Sequence, residues 1–499
     1  MMQVLVARLE HTAAAMPTHT AIQKGDRRID YRGLREAALR LAVALRARGV
    51  QPGDRVALSL SNGIEAAIAW YGIWRAGAAV VPMNAQARER DFVPWLRHSG
   101  ARLLVHAAGH GDAGQAAHIA GVPALVPDMA SPPDEAFAAA GTGAGGDLPM
   151  PDADMLAAIL YTSGTTGAPK GVALSHRNLA ANAAAIIDYL QLDADDSTVS
   201  VLPFHYAYGA SVLHTHLAVG ARVVLEDNLV FPHLVAEALA RERVTGFPGV
   251  PSTFALLLDR GRLDQYDLSS LRYLTQAGGA MAPALTRRVH AAFPQARLFV
   301  MYGQTEASAR LTRLTPERLD DKLGSVGTPI DGVEIRVRRV DGSEASPGEA
   351  GEVCARGDNV MTGYWNAPEA TAATLVDGWL RTGDLGHLDA DGFLWLAGRR
   401  SDMIKTGAHR VHPQDVEEVI AELPGVREVA VTGVDDALLG QVVAAFLVRD
   451  GDVPNETAVK AHCRQRLAGY KIPKQVAFVA ELPRTASGKV RRAALTQGT

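Results

Sequence analysis

Cysteine is almost absent from this chain, which carries two among 499 residues. Cys354 and Cys463 lie far apart, and neither has a second cysteine at the spacing of a metal site, which argues against a disulfide framework or a cysteine-bound metal. We expect both to be reduced, buried side chains. Long apolar runs are also missing, since none approaches the roughly 20 residues that cross a bilayer, and charges come too early for a signal peptide. These absences predict a cytoplasmic protein with no membrane span.

An excess of positive charge is missing as well. The chain has 50 Lys and Arg residues against 54 Asp and Glu residues, a formal net charge of −4. This balance gives no electrostatic reason to expect nucleic acid as a partner. The acidic string at residues 193–196 could bind a metal, but we interpret it as a solvated loop.

The chain is too long for one ordinary core, so at least two domains are expected. Apolar residues at helical spacing predict helices over Val4–Met16, Asp30–Gly49 and Gly63–Ala76. The segments Arg55–Leu60 and Gly77–Pro82 have the composition of buried strands. Strands that alternate with helices indicate α/β architecture with largely parallel sheets.

A glycine- and hydroxyl-rich string, Y-T-S-G-T-T-G-A-P-K-G, occupies Tyr161–Gly171. Its backbone N–H groups and hydroxyls suit phosphate oxygens, and Lys170 adds a positive charge. The spacing is not that of a P-loop NTPase, and no helix follows the lysine directly. A flexible surface turn is the alternative interpretation of the string taken alone.

The string resembles the phosphate loop of the adenylate-forming superfamily, which includes acyl-CoA synthetases, standalone adenylation enzymes and luciferases. Companion strings follow in the family's order: A-G-G-A at 277–280, Y-G-Q-T-E at 302–306, T-G-D at 382–384, G-R-R-S-D at 398–402 and P-R-T-A-S-G-K at 483–489. Taken alone, T-G-D could cap a β-turn, and the basic end could be a solvated tail.

The resemblance implies an acyl-CoA synthetase-like α/β fold. Residues 1–399 would form a large N-terminal domain with parallel-type sheets and the nucleotide and acyl pockets. Residues 400–499 would form a small, mobile C-terminal α+β domain that carries the catalytic lysine. The hinge between them would fall on Ser401, where relatives commonly have Asp or Lys.

The resemblance also implies roles for individual residues. Lys489 would bridge the substrate carboxylate and the α-phosphate, Thr305 would contact the α-phosphate, and Glu306 would hold Mg²⁺. Asp384 and Arg399 would bind the ribose. The implied ATP and AMP contacts are Thr162, Ser163, Gly164, Thr165, Thr166, Gly167, Lys170, Gly278, Gly279, Ala280, Tyr302, Gly303, Asp384 and Arg399.

The acyl pocket implied by the resemblance consists of Phe204, His205, Tyr206, Tyr208, Gly278 and Gln304. His205 would stand at the mouth of the thiol tunnel and take part in catalysis; the alternative is that this segment is an aromatic strand end that only packs the core. Relatives that activate α-amino acids have an aspartate at this position. His205 therefore favours a carboxylic acid without a free α-amine.

The predicted function is an AMP-forming carboxylate–CoA ligase that uses ATP, Mg²⁺ and CoA. Ala408 stands where many relatives have glycine near pantetheine, so a standalone adenylating enzyme that loads the phosphopantetheine of a carrier protein is the first alternative. The second is a catalytically inactive acyl-nucleotide sensor, against which the presence of Lys489, Glu306, Asp384 and Arg399 speaks.

Overall fold

The structure is a computed structural model that describes residues 4–137, 148–162, 170–227, 229–399, 402–406, 409–436, 439–449, 455–485 and 490–496. The helices of these ranges are α1 Leu5–Ala15, α2 Tyr31–Ala47, α3 Ile64–Arg75, α4 Glu89–Ser99, α5 Gly111–Ala120, α6 His176–Leu190, α7 Ala207–Val219, α8 Pro232–Arg241, α9 Pro251–Arg260, α10 Pro283–Ala292, α11 Pro368–Thr374, α12 Pro413–Ala421, α13 Glu456–Arg466 and α14 Arg492–Leu495.

The strands of the same ranges are β1 Thr20–Lys24, β2 Arg27–Asp30, β3 Arg55–Ser59, β4 Ala79–Pro82, β5 Leu103–His106, β6 Ala124–Leu125, β7 Leu156–Thr162, β8 Lys170–Ser175, β9 Ser197–Ser200, β10 Arg222–Leu225, β11 Gly246–Gly249, β12 Tyr273–Gln276, β13 Arg297–Tyr302, β14 Thr312–Leu314, β15 Thr328–Pro329, β16 Val333–Arg338, β17 Gly351–Gly357, β18 Gly363–Tyr364, β19 Leu375–Val376, β20 Trp379–Leu388, β21 Leu394–Arg399, β22 Ile404–Thr406, β23 His409–Val411, β24 Val426–Asp436, β25 Gly440–Arg449 and β26 Gln475–Val479.

Two mainly parallel sheets form most of the large domain. The first has the order β15-β14-β13-β12-β11-β9-β10-β1-β2, and its neighbours from β13 to β1 are parallel. The second has the order β18-β8-β7-β4-β3-β5-β6, with parallel pairs from β7 to β6. The predicted α/β class with parallel-type sheets is therefore confirmed.

Helices α3, α6 and α7 lie between these two sheets. Helix α3 contacts β1 of the first sheet and β3 and β4 of the second, while α6 packs on β7 and β8 and also on α7. Every side chain of α3 from Ile64 to Trp74 is buried, because the helix has protein on all sides.

A third sheet is antiparallel and was not predicted. Strands β16, β17, β20 and β19 form it in that order, and β21 pairs with β20. The C-terminal domain is smaller, with the sheet β23-β22-β25-β24, a parallel partner β26 on β25, and helices that include α12 and α13. This unit confirms the predicted α+β class.

The predicted helix that starts at Asp30 is confirmed as α2. Asp30 caps it by accepting a hydrogen bond from the backbone N–H of Gly33, and Pro413 is the first residue of α12. Both cysteines are free and buried, and burial raises the pKa of each thiol. Among the helices of the described ranges, none has the length and hydropathy needed to cross a bilayer.

The interpretation of residues 193–196 as a solvated acidic loop is wrong for one residue. Asp196 is 5% exposed, and its carboxylate accepts hydrogen bonds from Arg272 at 2.6 Å and from the Thr245 hydroxyl at 2.6 Å. An ionised carboxylate can be buried here because a guanidinium and a hydroxyl satisfy it. Asp196 of this acidic string forms an ion pair with Arg272, which is distant in the sequence, so only the tertiary structure reveals the pair.

Candidate active site

The carboxyl ends of β9, β12 and β13 bring three of the predicted motifs to one edge of the first sheet. The segment 202–208 follows β9, the glycine pair at 278–279 follows β12, and Gly303–Glu306 follows β13. Because these strands are parallel, their carboxyl ends point the same way, which is where open α/β sheets bind ligands.

The carboxylate of Asp384 is held from two sides. Its Oδ2 accepts a hydrogen bond of 2.6 Å from the Tyr302 hydroxyl, and its Oδ1 lies 3.2 Å from Nε of Arg399. Burial, together with the neighbouring carboxylate, raises the pKa of Tyr302 well above its ordinary value, so the phenol remains a donor. The structure thus brings together three of the predicted nucleotide residues.

Asp384 lies within a strand and not in a turn. Strand β20 runs from Trp379 to Leu388, and Asp384 is directly opposite Arg399 of β21 in the antiparallel register. Gly383 before it has φ +74, a conformation that favours glycine. The alternative in which T-G-D only caps a β-turn is therefore wrong.

Glu306 and Lys170 are joined through a tyrosine that the sequence analysis missed. The Tyr364 hydroxyl donates a hydrogen bond of 2.8 Å to Oε1 of Glu306, and Nζ of Lys170 lies 5.0 Å from the centre of the Tyr364 ring. Tyr364 reaches this place because β18 pairs with β8, the strand that begins at Lys170. Burial and the Glu306 carboxylate raise the pKa of this phenol.

Arg399 interacts electrostatically with both Asp384 and Glu306. Burial lowers the pKa of its guanidinium, but the carboxylates of Asp384, Asp402 and Glu306 outweigh this and raise it. The described part of the chain therefore places an arginine within electrostatic range of both Asp384 and Glu306. A cation between two carboxylates suits a ligand that carries both hydroxyls and phosphates.

The turn that carries Thr305 and Glu306 depends on a glycine. A Cβ on Gly303 would lie 2.0 Å from the carbonyl oxygen of Ala309, so no other residue fits without moving backbone. The predicted adenine wall also contains glycine: Gly278 has φ +84, and the carbonyl of Gly279 accepts a hydrogen bond of 2.9 Å from Gln276.

The predicted acyl segment is a loop that leads into a helix, not a strand end. The backbone N–H of Phe204 donates to Oδ1 of Asn62, whose amide nitrogen donates to the carbonyl of Leu202, so Asn62 clamps the loop. Helix α7 then begins at Ala207, and the hydroxyl of Tyr208 donates to the carbonyl of Thr275 at 2.8 Å. The segment is therefore not a strand end, and Phe204 does pack in the core, with 4% of its surface exposed.

Two buried nitrogens in this region have no hydrogen-bond partner within the described ranges: Nε2 of His205 and Nε2 of Gln304. Burial lowers the pKa of His205 to about 4, so its imidazole is neutral at pH 7. Its ring centre lies 4.1 Å from that of Tyr206. Buried polar atoms without partners are costly, and a bound ligand would remove that cost.

Arg310 is a second residue that the sequence analysis did not identify. It is 3% exposed, its guanidinium carbon lies 4.1 Å from the centre of the Tyr208 ring, and Nε contacts the sulfur of Met301 at 3.2 Å. The ring face partly replaces the water that the cation loses on burial.

The residues present fit a nucleotide-bound Mg²⁺ better than a protein-held metal. No group of three or more His, Cys, Asp or Glu residues with metal-site geometry occurs in the ranges that the structure describes. Mg²⁺ commonly takes one or two carboxylates and completes its shell with phosphate oxygens and water. Glu306, close to the end of the phosphate loop at Lys170, suits that arrangement.

Some predicted residues lie outside the described residues. They are Ser163, Gly164, Thr165, Thr166 and Gly167 of the phosphate loop, the hinge position Ser401, Ala408 and Lys489. The strands that flank the phosphate loop are in place, since β7 and β8 pair antiparallel with Thr162 opposite Lys170.

Comparison with known proteins agrees with this geometry. Residues 9–365 match the family model of the AMP-binding enzymes, and residues 415–489 match that of the AMP-binding enzyme C-terminal domain. The feruloyl-CoA synthase of an Amycolatopsis species is 37% identical over 487 residues, which cover 96% of this chain and 95% of that protein. The indoleacetate–CoA ligase of Aromatoleum aromaticum is 35% identical over 503 residues and covers 97% and 96%.

Solved structures give the same result. The o-succinylbenzoate CoA synthetase of Bacillus subtilis, in complex with its acyl-adenylate intermediate, superposes with a TM-score of 0.87 at 30% identity and covers 99% of this chain and 98% of that one. ATP-bound MatB from Rhodopseudomonas palustris superposes with a TM-score of 0.90 at 32% identity and covers 100% and 99%. The chain therefore belongs to the AMP-binding enzyme family, within the adenylate-forming superfamily that its motifs resemble.

Proposed function

We propose that the protein is an AMP-forming carboxylate–CoA ligase. It uses ATP to convert a carboxylic acid into an acyl-adenylate with release of pyrophosphate, and it then transfers the acyl group to the thiol of CoA. The observation that carries the proposal is the group formed by Lys170, Glu306, Asp384 and Arg399 around the end of β13. Near full-length relatives that are named as CoA ligases support it.

Asp384 is the proposed acceptor for the ribose hydroxyls of ATP. An ionised carboxylate accepts two hydrogen bonds from a paired diol, and the Tyr302 and Arg399 contacts fix its position before the nucleotide arrives. The glycines at 278 and 279 leave room for adenine beside the backbone. The phosphates then extend toward Lys170 and the loop before it.

In the first step, a carboxylate oxygen of the substrate attacks the α-phosphorus, and pyrophosphate leaves with the electron pair of the broken bond. The carboxylate is already a nucleophile, so no general base is needed. The step needs cations and hydrogen-bond donors that offset the negative charge on the α-phosphate. We propose Thr305 and Lys489 for this role. Mg²⁺, held by Glu306, would neutralise charge on the phosphate oxygens.

In the second step, the thiol loses its proton to solvent and its sulfur attacks the acyl carbon. The bond between the acyl carbon and the phosphate oxygen of the mixed anhydride breaks, and AMP leaves with the electron pair of that bond. We propose that the C-terminal domain turns about Ser401 between the steps, which withdraws Lys489 and admits the thiol. His205 is neutral at pH 7, so it can line the thiol path without binding phosphate electrostatically. ATP and CoA are both cytoplasmic metabolites, so we expect the reaction in that compartment.

We favour CoA over a carrier protein as the acceptor. The feruloyl, indoleacetate and o-succinylbenzoate enzymes compared above are each named for a CoA product or substrate. The position of His205 supports an acid without an α-ammonium group, because that cation would have no carboxylate at this point of the pocket.

The test is pyrophosphate release from ATP with a panel of carboxylic acids, followed by detection of acyl-CoA. Lys489→Ala should reduce adenylation by at least 100-fold, because a desolvated cation at the reacting phosphate is worth several kcal/mol. Lys460→Ala is the matched control, since that lysine pairs with Glu456 on the surface of α13 and should leave the rate unchanged. An equal rate of pyrophosphate release in Lys489→Ala and Lys460→Ala would contradict the role proposed for Lys489. Formation of AMP without any added acid would contradict the proposed function.

A further inference from the structure

A short segment, residues 361–365, connects the turn that follows β13 with strand β8. The backbone N–H of Met361 donates a hydrogen bond of 2.8 Å to the carbonyl of Glu306, and that of Trp365 donates one of 2.7 Å to the carbonyl of Gly171. Strand β18 lies within this segment and pairs with β8. The segment therefore ties the residue proposed to hold Mg²⁺ to the strand that begins at the end of the phosphate loop.

Tyr364 is fixed within this segment by helix α11. Its backbone N–H donates a hydrogen bond of 2.9 Å to the hydroxyl of Thr371, which lies in α11. The two elements are in close contact, since a Cβ on Gly363 would lie 2.8 Å from Cγ2 of Thr371. The backbone of Tyr364 is thus held by β8 on one side and by α11 on the other, so its side chain has a defined starting point.

The Tyr364 hydroxyl occupies one of the two carboxylate oxygens of Glu306. It donates a hydrogen bond of 2.8 Å to Oε1. A phenol, whose ordinary pKa is about 10, keeps its proton at pH 7, and an ionised carboxylate can only accept. From the residues that the structure describes, Oε2 of Glu306 receives no hydrogen bond. One oxygen of this carboxylate is therefore left for a metal ion.

The ring of the same tyrosine contacts the ammonium group of Lys170. Nζ lies 5.0 Å from the ring centre, within the range of a cation–π contact. Within the described ranges, Lys170 and Glu306 form no ion pair with each other, although both contact Tyr364. A direct pair would occupy the carboxylate that is proposed to bind the metal. The ring gives the ammonium group another partner, which keeps the carboxylate available.

A carboxylate with one available oxygen suits Mg²⁺ better than Ca²⁺. Mg²⁺ demands near-octahedral geometry, whereas Ca²⁺ takes six to eight ligands and accepts both oxygens of one carboxylate. We propose that Tyr364 is a positioning residue which, by occupying Oε1 of Glu306, restricts this carboxylate to coordination through one oxygen and so favours Mg²⁺ over Ca²⁺ as the ion bound with ATP. This inference rests on the proposed function, which assigns Glu306 to the metal.

The test measures ATP binding by isothermal titration calorimetry with Mg²⁺, with Ca²⁺ or with EDTA. Tyr364→Phe removes the hydroxyl and keeps the ring beside Lys170. It should reduce the gain in ATP affinity that Mg²⁺ provides by about 10-fold, the usual cost of losing a hydrogen bond to a metal ligand, and the gain from Ca²⁺ by less. The affinity for metal-free ATP is the internal control for folding and should stay within about 2-fold of wild type. Tyr266→Phe is the matched control, because Tyr266 precedes the amino end of β12, away from the carboxyl ends that carry the site.

Glu306→Gln tests whether Tyr364 acts through the carboxylate. In that background, Tyr364→Phe should cause no further loss of the Mg²⁺-dependent gain, because the two residues work as one unit. An unchanged ratio of Mg²⁺ to Ca²⁺ affinity in Tyr364→Phe, or a full effect of this substitution in the Glu306→Gln background, would overturn the inference while the proposed function stands. The absence of pyrophosphate release with every acid of a wide panel would instead overturn the proposed function.

Discussion

At the scale of single residues, the carboxylate of Asp384 is held by a hydrogen bond from Tyr302 and by an ion pair with Arg399. Tyr302 and Arg399 come from different sheets and meet on one carboxylate, which is 7% exposed. A carboxylate fixed in this way loses little entropy when it binds a diol. In the proposed site, the Asp384 carboxylate is therefore already in position before ATP binds.

Asp384→Asn should raise KM for ATP about 10- to 100-fold, the range of a hydrogen bond to a charged group, with a smaller effect on kcat. Pyrophosphate exchange at varied ATP concentration measures both parameters. Tyr302→Phe should raise KM less, by about 5-fold, because it removes one neutral donor. Glu352→Gln is the control, since Glu352 pairs with Arg381 elsewhere on the same sheet. A KM in Asp384→Asn equal to that of wild type would contradict the ribose role.

Sequence reasoning reached Asp384 and Arg399 because their motifs are local strings. It did not predict the Tyr302 bond, although it named Tyr302, because that bond depends on how two sheets approach each other. Tyr364 was missed for the same reason: it contacts Glu306 only after β18 has paired with β8. A conspicuous aromatic string, G-Y-W-N at 363–366, was the available signal.

At the scale of elements, parallel strands explain why distant motifs meet. The carboxyl ends of β9, β12 and β13 lie along one edge of the first sheet, with β11 between β9 and β12. The predicted parallel sheet was therefore enough to expect a site at this edge. The antiparallel sheet of β16, β17, β20 and β19 was not predicted, because β20 has threonine, aspartate and glycine at buried positions, so its sequence shows no alternation of apolar and polar residues. Pattern reasoning is weakest for such half-buried strands.

Gly303→Ala should displace the turn after β13 and reduce adenylation by at least 10-fold, since the new methyl group would meet the backbone carbonyl of Ala309 at 2.0 Å. Gly111→Ala is the matched control, because a Cβ there has no atom within 4 Å. The rate of pyrophosphate release, together with the midpoint of thermal unfolding, separates damage to the site from general loss of stability. Wild-type rates in Gly303→Ala would show that the turn tolerates the displacement.

At the scale of the whole molecule, the proposed mechanism has the small domain change its orientation between the two steps. The hinge at Ser401 and the boundary between residues 399 and 400 are still predictions. Ser401→Pro would restrict rotation about the backbone there. We expect it to slow acyl-CoA formation at least 10-fold and to leave adenylation within about 3-fold of wild type.

Separate assays measure the two half-reactions of Ser401→Pro. Pyrophosphate exchange reports adenylation, and acyl-CoA formation from preformed acyl-adenylate reports the second step. A substitution to alanine at the same position removes the side chain but keeps the rotation, so it should preserve both rates. Equal slowing of both steps in the proline variant would place the hinge elsewhere.

The large domain also contains a set of buried histidines that should make its stability depend on pH. Burial lowers the pKa of His176, His205 and His216 to about 4 and that of His214 to about 3. Below about pH 6.5, the ordinary pKa of histidine, these side chains are protonated in the unfolded chain but stay neutral in the folded chain. Acid therefore favours unfolding. The free energy of unfolding should fall between pH 6.5 and pH 4, by up to about 1.4 kcal/mol per pH unit for each histidine.

Urea unfolding between pH 7.5 and pH 5 measures this dependence. His216→Gln should make the slope shallower by about one proton, because the substituted side chain does not titrate. The exposed His118 provides the control, and His118→Gln should leave the slope unchanged. A free energy of unfolding that stays constant from pH 7.5 to pH 5 would contradict the prediction.

The three sheets of the large domain each supply a different part of the proposed nucleotide site: Lys170 from the second, Tyr302 from the first and Asp384 from the third. During synthesis, the ribosome must therefore have passed Arg399 before the growing chain can recognise ATP. With the proposed site, ATP would therefore not bind the chain at the earlier stages of folding. The nucleotide becomes a stabilising ligand only for a nearly finished protein.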